Sequence, residues 1–164
     1  MHYIRNGAAF CLVVFVLAPA LLSAEVKTDS WPNGKVKWER NYTDGELDGV
    51  SKQYDEAGTL QVEEHYKNGK RNGIHRSYYS DGTLRVEGNY KDGLKDGAEI
   101  THLRWENIKI VNTYQEGKAI NTLRYDEKGR LRDEMTFEYG EQGSWKIHQK
   151  LYDEKGEVIL DQDL

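Results

Sequence analysis

A repeat of 24 residues constrains the fold of this chain more than any other feature of its sequence. Units 31–54, 55–78 and 79–102 agree at one tyrosine position and at three glycine positions, and chance does not produce such agreement. The tyrosine position recurs at Tyr42, Tyr66, Tyr90 and Tyr114, and the glycine positions at Gly34, Gly58 and Gly82, at Gly45, Gly69, Gly93 and Gly117, and at Gly49, Gly73 and Gly97. A chain with such a period folds as stacked copies of one small unit.

The repeat decays towards the C terminus. In unit four, 103–126, Glu106 and Asn121 stand at two of the glycine positions. Unit five, 127–156, is longer, because the sequence YDEKG at 125–129 recurs only 27 residues later. A fragment, 157–164, completes the chain. Degenerate units at the end of a repeat array act as caps, so we expect all of residues 25–164 to form one repeat domain.

Asx-Gly pairs and alternating residues predict two β-strands in each unit. Glycine adopts positive φ at no steric cost, and Asn and Asp tolerate it, so such pairs favour tight hairpin turns. They occur at 44–45, 68–69 and 92–93 and, four residues later, at 48–49, 72–73 and 96–97. Between the turns, apolar residues alternate with charged ones, which is typical of a half-buried antiparallel strand.

The alternation assigns residues to two faces of each strand. On the expected apolar face are Val36, Trp38 and Tyr42, then Leu60, Val62 and Tyr66, then Leu84, Val86 and Tyr90, then Ile108, Ile110 and Tyr114. We expect the tyrosines to form the core, and Glu39, Glu63 and Glu87 to lie in register with cations on a solvated charged face. The predicted fold is all-β: an elongated antiparallel meander of stacked two-stranded hairpins, about ten strands long, without helices beyond the N-terminal segment.

The first 24 residues have the form of a secretory signal peptide. Arg5 is their only charged residue, 8–17 is an unbroken apolar run, and Ser23-Ala24 offers a cleavage site. A retained membrane anchor and a buried helix are the alternatives, but Pro19 interrupts an apolar stretch that is already short for a membrane span. Cys11 is the only cysteine, so the mature chain would contain neither a disulfide nor a cysteine metal site.

The charge of the chain excludes several classes of function. With Arg5 set aside, 22 Lys and Arg stand against 28 Asp and Glu, which gives the domain a net charge of −6. An acidic domain is not a nucleic-acid module, and anionic membranes attract basic rather than acidic segments. We expect no nucleic-acid partner and no stable membrane insertion after signal cleavage.

The sequence shows no catalytic constellation, and we predict that the protein is not an enzyme. Its histidines are not spaced as metal ligands, and HExxH, GxSxG and P-loop motifs are absent. Asp44 and Asp48 lack the spacing of a calcium loop, so they are read as turn residues. The prediction is therefore no catalytic residue, no metal and no cofactor.

The segments Gly34–Gly49 and Asp81–Gly97 resemble the MORN repeat family in its bacterial variant, at the aligned tyrosine and at the glycine pairs that follow it. Tyr125–Leu131 is weakly similar to a YD repeat of bacterial wall-associated proteins. The MORN resemblance implies a ladder of glycine-turned β-hairpins used for contacts with proteins or membranes, and some bacterial relatives are labelled antitoxins. A repeat scaffold does not by itself specify a ligand.

The aromatic residues near the turns are the candidate binding residues. Trp31, Tyr79 and Trp105 could anchor a partner if they are exposed, whereas packing between units is the alternative. The predicted function is a non-enzymatic exported scaffold for protein–protein interaction in a bacterial periplasm, cell envelope or exterior. A cell-wall glycan-binding module and an antitoxin or immunity-like protein are the alternatives. The expected partner is another protein, or a cell-wall glycan in the first alternative.

Overall fold

The computed structural model describes residues 23–104, 107–140 and 145–164, which form one open antiparallel sheet. Its strands are β1 (Ala24–Ser30), β2 (Val36–Thr43), β3 (Glu46–Tyr54), β4 (Leu60–Lys67), β5 (Lys70–Tyr78), β6 (Leu84–Lys91), β7 (Leu94–Lys95), β8 (Gly97–Leu103), β9 (Ile108–Gln115), β10 (Lys118–Tyr125), β11 (Leu131–Tyr139), β12 (Trp145–Tyr152) and β13 (Val158–Asp163).

Each strand pairs with the next along the chain, with one exception. The short β7 pairs only with β6, and β6 pairs also with β8. The predicted all-β meander is confirmed, and the described residues contain no helix. None of these residues therefore belongs to a helix with the length and apolarity needed to cross a membrane. Except for Ser23 and Ala24, the expected signal segment lies outside the described residues.

Two-residue turns form one long edge of the sheet, the tight-turn edge. Asp44 and Gly45 both have positive φ, 51° and 85°, as a type I′ turn requires. The same turn recurs at 68–69, 92–93 and 116–117. The Gly69 N–H donates to the Leu47 carbonyl at 2.8 Å, and the next two turns repeat this bond, so each turn is tied to the preceding hairpin.

The second Asx-Gly pair of the first two units does not form a turn, so the sequence prediction is wrong there. The pairs 48–49 and 72–73 lie inside β3 and β5, whereas in unit three Asp96 alone separates β7 from β8, which begins at Gly97. In the first unit the three residues 48–50 stand opposite Asn41 alone, which is a special bulge with two extra residues. Gly49 has φ 102°, and a Cβ there would lie 3.2 Å from the Asn41 Cβ. Turn and bulge share the requirement for glycine, so the sequence signal does not separate them.

Unit four shows the bulge without its glycine. Tyr114 pairs with Ala119 and Thr113 with Asn121, which leaves Ile120 as the only extra residue. Asn121 stands where the earlier units have glycine, and the bulge narrows from two extra residues to one. Glycine is therefore required by the bulge with two extra residues and not by strand pairing in general.

Five-residue loops form the opposite edge, the loop edge. They span Trp31–Lys35, Asp55–Thr59, Tyr79–Thr83, Asp126–Arg130 and Asp153–Glu157. In each loop the backbone N–H of the first residue donates to the carbonyl of the fifth residue, at 2.8 to 3.0 Å. Neighbouring loops also contact one another: Asn33 Nδ2 donates to the Glu56 carbonyl and Lys35 Nζ to the Ala57 carbonyl. The loop edge is therefore held together by bonds between successive units.

One-residue bulges beside the loop edge change the predicted alternation. Tyr54 pairs with Leu60 while Gln53 pairs with Val62, so Gln61 is extra and Leu60 faces away from Val62. The same shift separates Val36 from Trp38 and Leu84 from Val86. The prediction that Val36, Leu60 and Leu84 share a face with the tyrosines is wrong, because one extra residue reverses the face of everything beyond it.

The sheet has no covering layer, and no hydrophobic side chain among the described residues is fully buried. The repeat tyrosines Tyr42, Tyr66, Tyr90 and Tyr114 are half-buried. The expectation that they form a core is wrong, because the units lie side by side in one sheet and shield each other only laterally. Both faces of the sheet therefore remain accessible.

Candidate interaction surfaces

The face opposite the repeat tyrosines, here called the ladder face, carries a row of alternating charges. Strand pairing aligns Glu39, Lys52, Glu63, Arg76 and Glu87 across five consecutive strands. Arg76 Nε donates to Glu87 Oε2 at 2.6 Å, and Arg76 Nη1 lies 3.4 Å from Glu63 Oε1. The hydrogen bond with Glu87 is the main cause that raises the pKa of Arg76. The predicted register of the three glutamates is confirmed.

The same row becomes apolar and then charged again further along the sheet. The row continues through Ile100, Val111 and Leu123, and it ends with Glu134, Lys150 and Asp161. The ladder face is therefore an apolar centre between two charged ends. A partner that lies on it meets side chains of both signs in a fixed order.

The face that carries Tyr42, Tyr66, Tyr90 and Tyr114, here called the tyrosine face, combines aromatic rings with ion pairs. In unit two, Tyr66 OH donates to Glu64 Oε2 at 2.7 Å, and Arg71 Nη2 lies 2.9 Å from Glu64 Oε1. His75 Nδ1 is 3.3 Å from Glu64 Oε1 but is not aligned for a hydrogen bond. The neighbouring His75, with Tyr66 and Arg71, lowers the pKa of Glu64 although burial opposes the shift.

Unit three contains a second ion pair on the tyrosine face. Glu99 is 8 % exposed and pairs with Lys95. Burial acts to lower the pKa of Lys95, but Glu99 raises it overall. The Lys95 ammonium lies 4.7 Å from the centre of the Tyr114 ring, and Arg71 stacks over Tyr90 at 5.3 Å. Each cation thus links the carboxylate of its own unit to a repeat tyrosine.

Unit one has a groove instead of such an ion pair. Its volume is about 190 Å³, and it is lined by Trp38, Arg40, Leu47, Ser51, Lys52, Gln53, Val62, Glu64 and Tyr66. The Arg40 guanidinium stacks on the Trp38 ring at 4.5 Å. Within the described ranges, no carboxylate lies within 4 Å of that guanidinium. We call this region, which combines Arg40 with Trp38, the Arg40 groove.

Two of the three aromatic residues predicted to bind a partner are used within the sheet. Trp31 Nε1 donates to the Tyr54 carbonyl at 3.1 Å, and Tyr79 OH donates to the His102 carbonyl at 2.6 Å. Both residues start a loop at the loop edge and are half-buried, and each reaches the end of the next hairpin. Trp105 lies outside the described residues.

The sequence reasoning missed the most exposed aromatic pair. Trp145 is 60 % exposed and Tyr139 47 %, and they pair across β11 and β12 at the tight-turn edge. Lys118 lies over the Tyr139 ring at 5.3 Å. The signal that could have found them is their position outside the repeat pattern, since no earlier unit has aromatic residues at the corresponding two strand ends.

The histidines that the structure describes contact neighbouring strands. No group of three or more His, Cys, Asp or Glu residues in the described part of the chain is arranged to hold a metal ion. His65 Nδ1 is engaged with the Ile74 carbonyl at 2.9 Å. His148 lies between Asp161 and Asp163, with Nε2 and Nδ1 at 2.6 and 2.7 Å from their oxygens. These contacts are structural ones between neighbouring strands.

The comparison with known families agrees with this geometry. Two adjacent segments, 47–68 and 71–92, match the family described as MORN repeat variant. These two segments are MORN repeats of the variant type. The matched segments start 24 residues apart, and each contains two strands joined at the loop edge. Comparison with curated proteins gives no significant match. MORN repeats generally bind proteins or membranes and form a scaffold that is not known as enzymatic.

Proposed function

We propose that the protein is a non-enzymatic, exported scaffold that binds another protein in a bacterial cell envelope or exterior. The observation that carries this proposal is the uncovered sheet. Neither face is packed against a second layer, and the described residues bury no hydrophobic side chain fully. The rigid backbone ladder presents aromatic and charged side chains at the spacing of its strands, which is the property that repeat scaffolds use in recognition.

The charges favour a protein over a membrane as the partner. Both faces carry carboxylates paired with cations, and the whole chain has a formal net charge of −5. An anionic lipid surface attracts basic segments and repels such a chain. A protein partner can match the alternating signs of the ladder face, and complementarity of this kind determines specificity and association rate more than affinity.

Export is supported by the first 24 residues alone. Their single charge, apolar run and small residues before the expected cleavage site fit a secretory signal. Expression of the full chain with a C-terminal tag in a bacterial host tests this directly. We expect N-terminal sequencing to give Glu25 as the first residue of protein recovered outside the cytoplasm. Retention of the uncleaved form in the cytoplasm would contradict export.

Affinity capture from an envelope extract tests the binding function. The tagged protein is the bait, mass spectrometry identifies what it retains, and a tagged acidic protein of similar size is the control. Parallel assays measure sedimentation with purified cell wall and flotation with anionic vesicles. We expect one protein in stoichiometric amount and no binding to wall or vesicles. Binding to cell wall alone would support the glycan-binding alternative, and binding to vesicles alone would support a membrane-binding repeat.

A further inference from the structure

The Arg40 groove differs from the equivalent places in the next two units. The central row of the tyrosine face runs from Arg40 through Ser51 and Glu64 to His75. Arg40 and Glu64 occupy the same position of units one and two, 24 residues apart. Ser51 likewise occupies the position of His75, and its small side chain leaves the floor of the groove open.

The ion pairs of units two and three have no counterpart in unit one. Unit two contributes Glu64 with Arg71, and unit three contributes Glu99 with Lys95. Unit one has Leu47 at the position of Arg71 and Lys95, and it contributes a cation from Arg40 without a carboxylate. A guanidinium that lies over an indole ring, with no carboxylate within 4 Å among the described residues, keeps its fork of N–H donors free for an anion.

We propose that the Arg40 groove binds a carboxylate side chain of an acidic segment in the protein partner. This inference rests on the proposed protein-binding function and names the chemistry of the contact. The partner supplies the carboxylate that unit one lacks, while Trp38, Leu47 and Val62 contact the aliphatic part of the same segment. Ser51 and Gln53 provide further polar groups on the floor of the groove.

The composition of the groove favours a carboxylate over a phosphate. Arg40 is the one cation that the tyrosine face contributes to its lining, because Lys52 also lines the groove but is in register with Glu39 and Glu63 on the ladder face. The neighbouring Lys27 lies 3.3 Å from Glu25 and 4.7 Å from the Tyr42 ring centre. Glu64 lines the far wall and keeps the local charge low. A single guanidinium beside a carboxylate suits a monoanion, whereas phosphate sites gather several donors and cations.

Titration with short peptides tests the inference. The probes are acetyl-Leu-Glu-Leu-amide and its neutral counterpart acetyl-Leu-Gln-Leu-amide, and the readout is the indole N–H resonance of Trp38 in the isotopically labelled protein. We expect a saturable shift with the glutamate peptide at roughly millimolar Kd, since two charge-assisted hydrogen bonds form. Arg40→Gln should weaken binding at least tenfold. Arg124→Gln, at an exposed arginine outside the groove, should leave it unchanged.

Several results would overturn the proposal. These are an equal response to the glutamine peptide, binding that survives Arg40→Gln, no saturable shift, or saturation by inorganic phosphate but not by the glutamate peptide. Affinity capture with the Arg40→Gln protein separates this inference from the function on which it rests. If the variant retains the same partner as fully as the unchanged protein, the scaffold function stands and the carboxylate contact is refuted. If neither protein retains a partner, the scaffold function fails whatever the peptides show.

Discussion

Substitution of two glycines that are close in sequence tests the distinction between the tight turn and the bulge. Gly45 and Gly49 both have positive φ, 85° and 102°. A left-handed backbone costs an alanine about 1–2 kcal/mol, and the lower entropy of the unfolded chain returns about 0.4–1 kcal/mol. A Cβ on Gly45 meets nothing within 4 Å. The expected cost of Gly45→Ala is therefore about 1 kcal/mol.

Gly49→Ala adds a steric cost to the same backbone strain. Its Cβ would lie 3.2 Å from the Asn41 Cβ, and Asn41 cannot retreat freely because its Nδ2 donates to the Val50 carbonyl. Overpacking of this kind costs about 1–3 kcal/mol, so Gly49→Ala should destabilise the protein by about 2–4 kcal/mol. Urea denaturation followed by circular dichroism measures both variants. Equal losses of unfolding free energy for the two would refute the assignment of Gly49 to a tightly packed bulge.

Three further predictions address the repeat, the loop edge and the terminal strand. Deletion of 55–78 should leave a folded, shorter sheet, since Tyr54 is then followed by the loop and strand of the next unit in the same register. Deletion of 55–77 should disrupt the sheet, because the register shifts by one residue. Equal damage to the two variants, measured by circular dichroism, would contradict the stacked-hairpin fold. Tyr79→Phe removes the bond to the His102 carbonyl and should lower thermal stability by about 0.5–1.5 kcal/mol without changing partner capture, whereas loss of capture would assign the hydroxyl to binding. The hydrogen bond that His148 Nδ1 donates to Asp163, followed by the charge of Asp161, raises the pKa of His148 above 6.5. The stabilising effect of this histidine should therefore be complete below pH 6.5 and disappear as pH rises through its folded-state pKa. Melting curves against pH should show this loss, and His148→Asn should remove it; an unchanged pH dependence in the variant would refute the assignment.

The repeat pattern predicted the fold because its strongest signals are local ones. The pairs 44–45, 68–69 and 92–93 fix type I′ turns through backbone conformation alone, and the alternation between them fixes which residues pair. The register of Glu39 with Glu63 and Glu87 followed from the same period. β1 was not predicted, because its sequence, AEVKTDS, shows no apolar alternation and every residue in it is exposed. It is a strand because β2 offers backbone partners along its whole length.

The candidate surfaces were harder to predict because they depend on bulges and on pairing between units. The extra residue Gln61 moves Leu60 to the other face of the sheet. No property of a glutamine in the sequence predicts that it will form a bulge. Trp31 and Tyr79 looked available as anchors because they adjoin turns, yet each donates to a carbonyl 23 residues further along the chain. Such a contact is visible only when the neighbouring unit is in place.

Residues that bind a partner are best sought where a unit departs from the repeat, since the residues at the shared positions are needed for the structure. The aligned glycines satisfy turns and bulges, and the aligned tyrosines pack beside the ion pairs of units two and three. In each of those pairs the cation already has a carboxylate partner, so its charge is not available to a binding partner. In unit one, Leu47 stands where units two and three have the cations Arg71 and Lys95. Arg40 and Ser51 occupy positions at which each of the first four units has a different residue, and with Leu47 they line a groove that contains an unpaired guanidinium. Because natural sequences violate their own local rules mainly at functional sites, these variable positions are a better place to look for binding than the shared tyrosines and glycines.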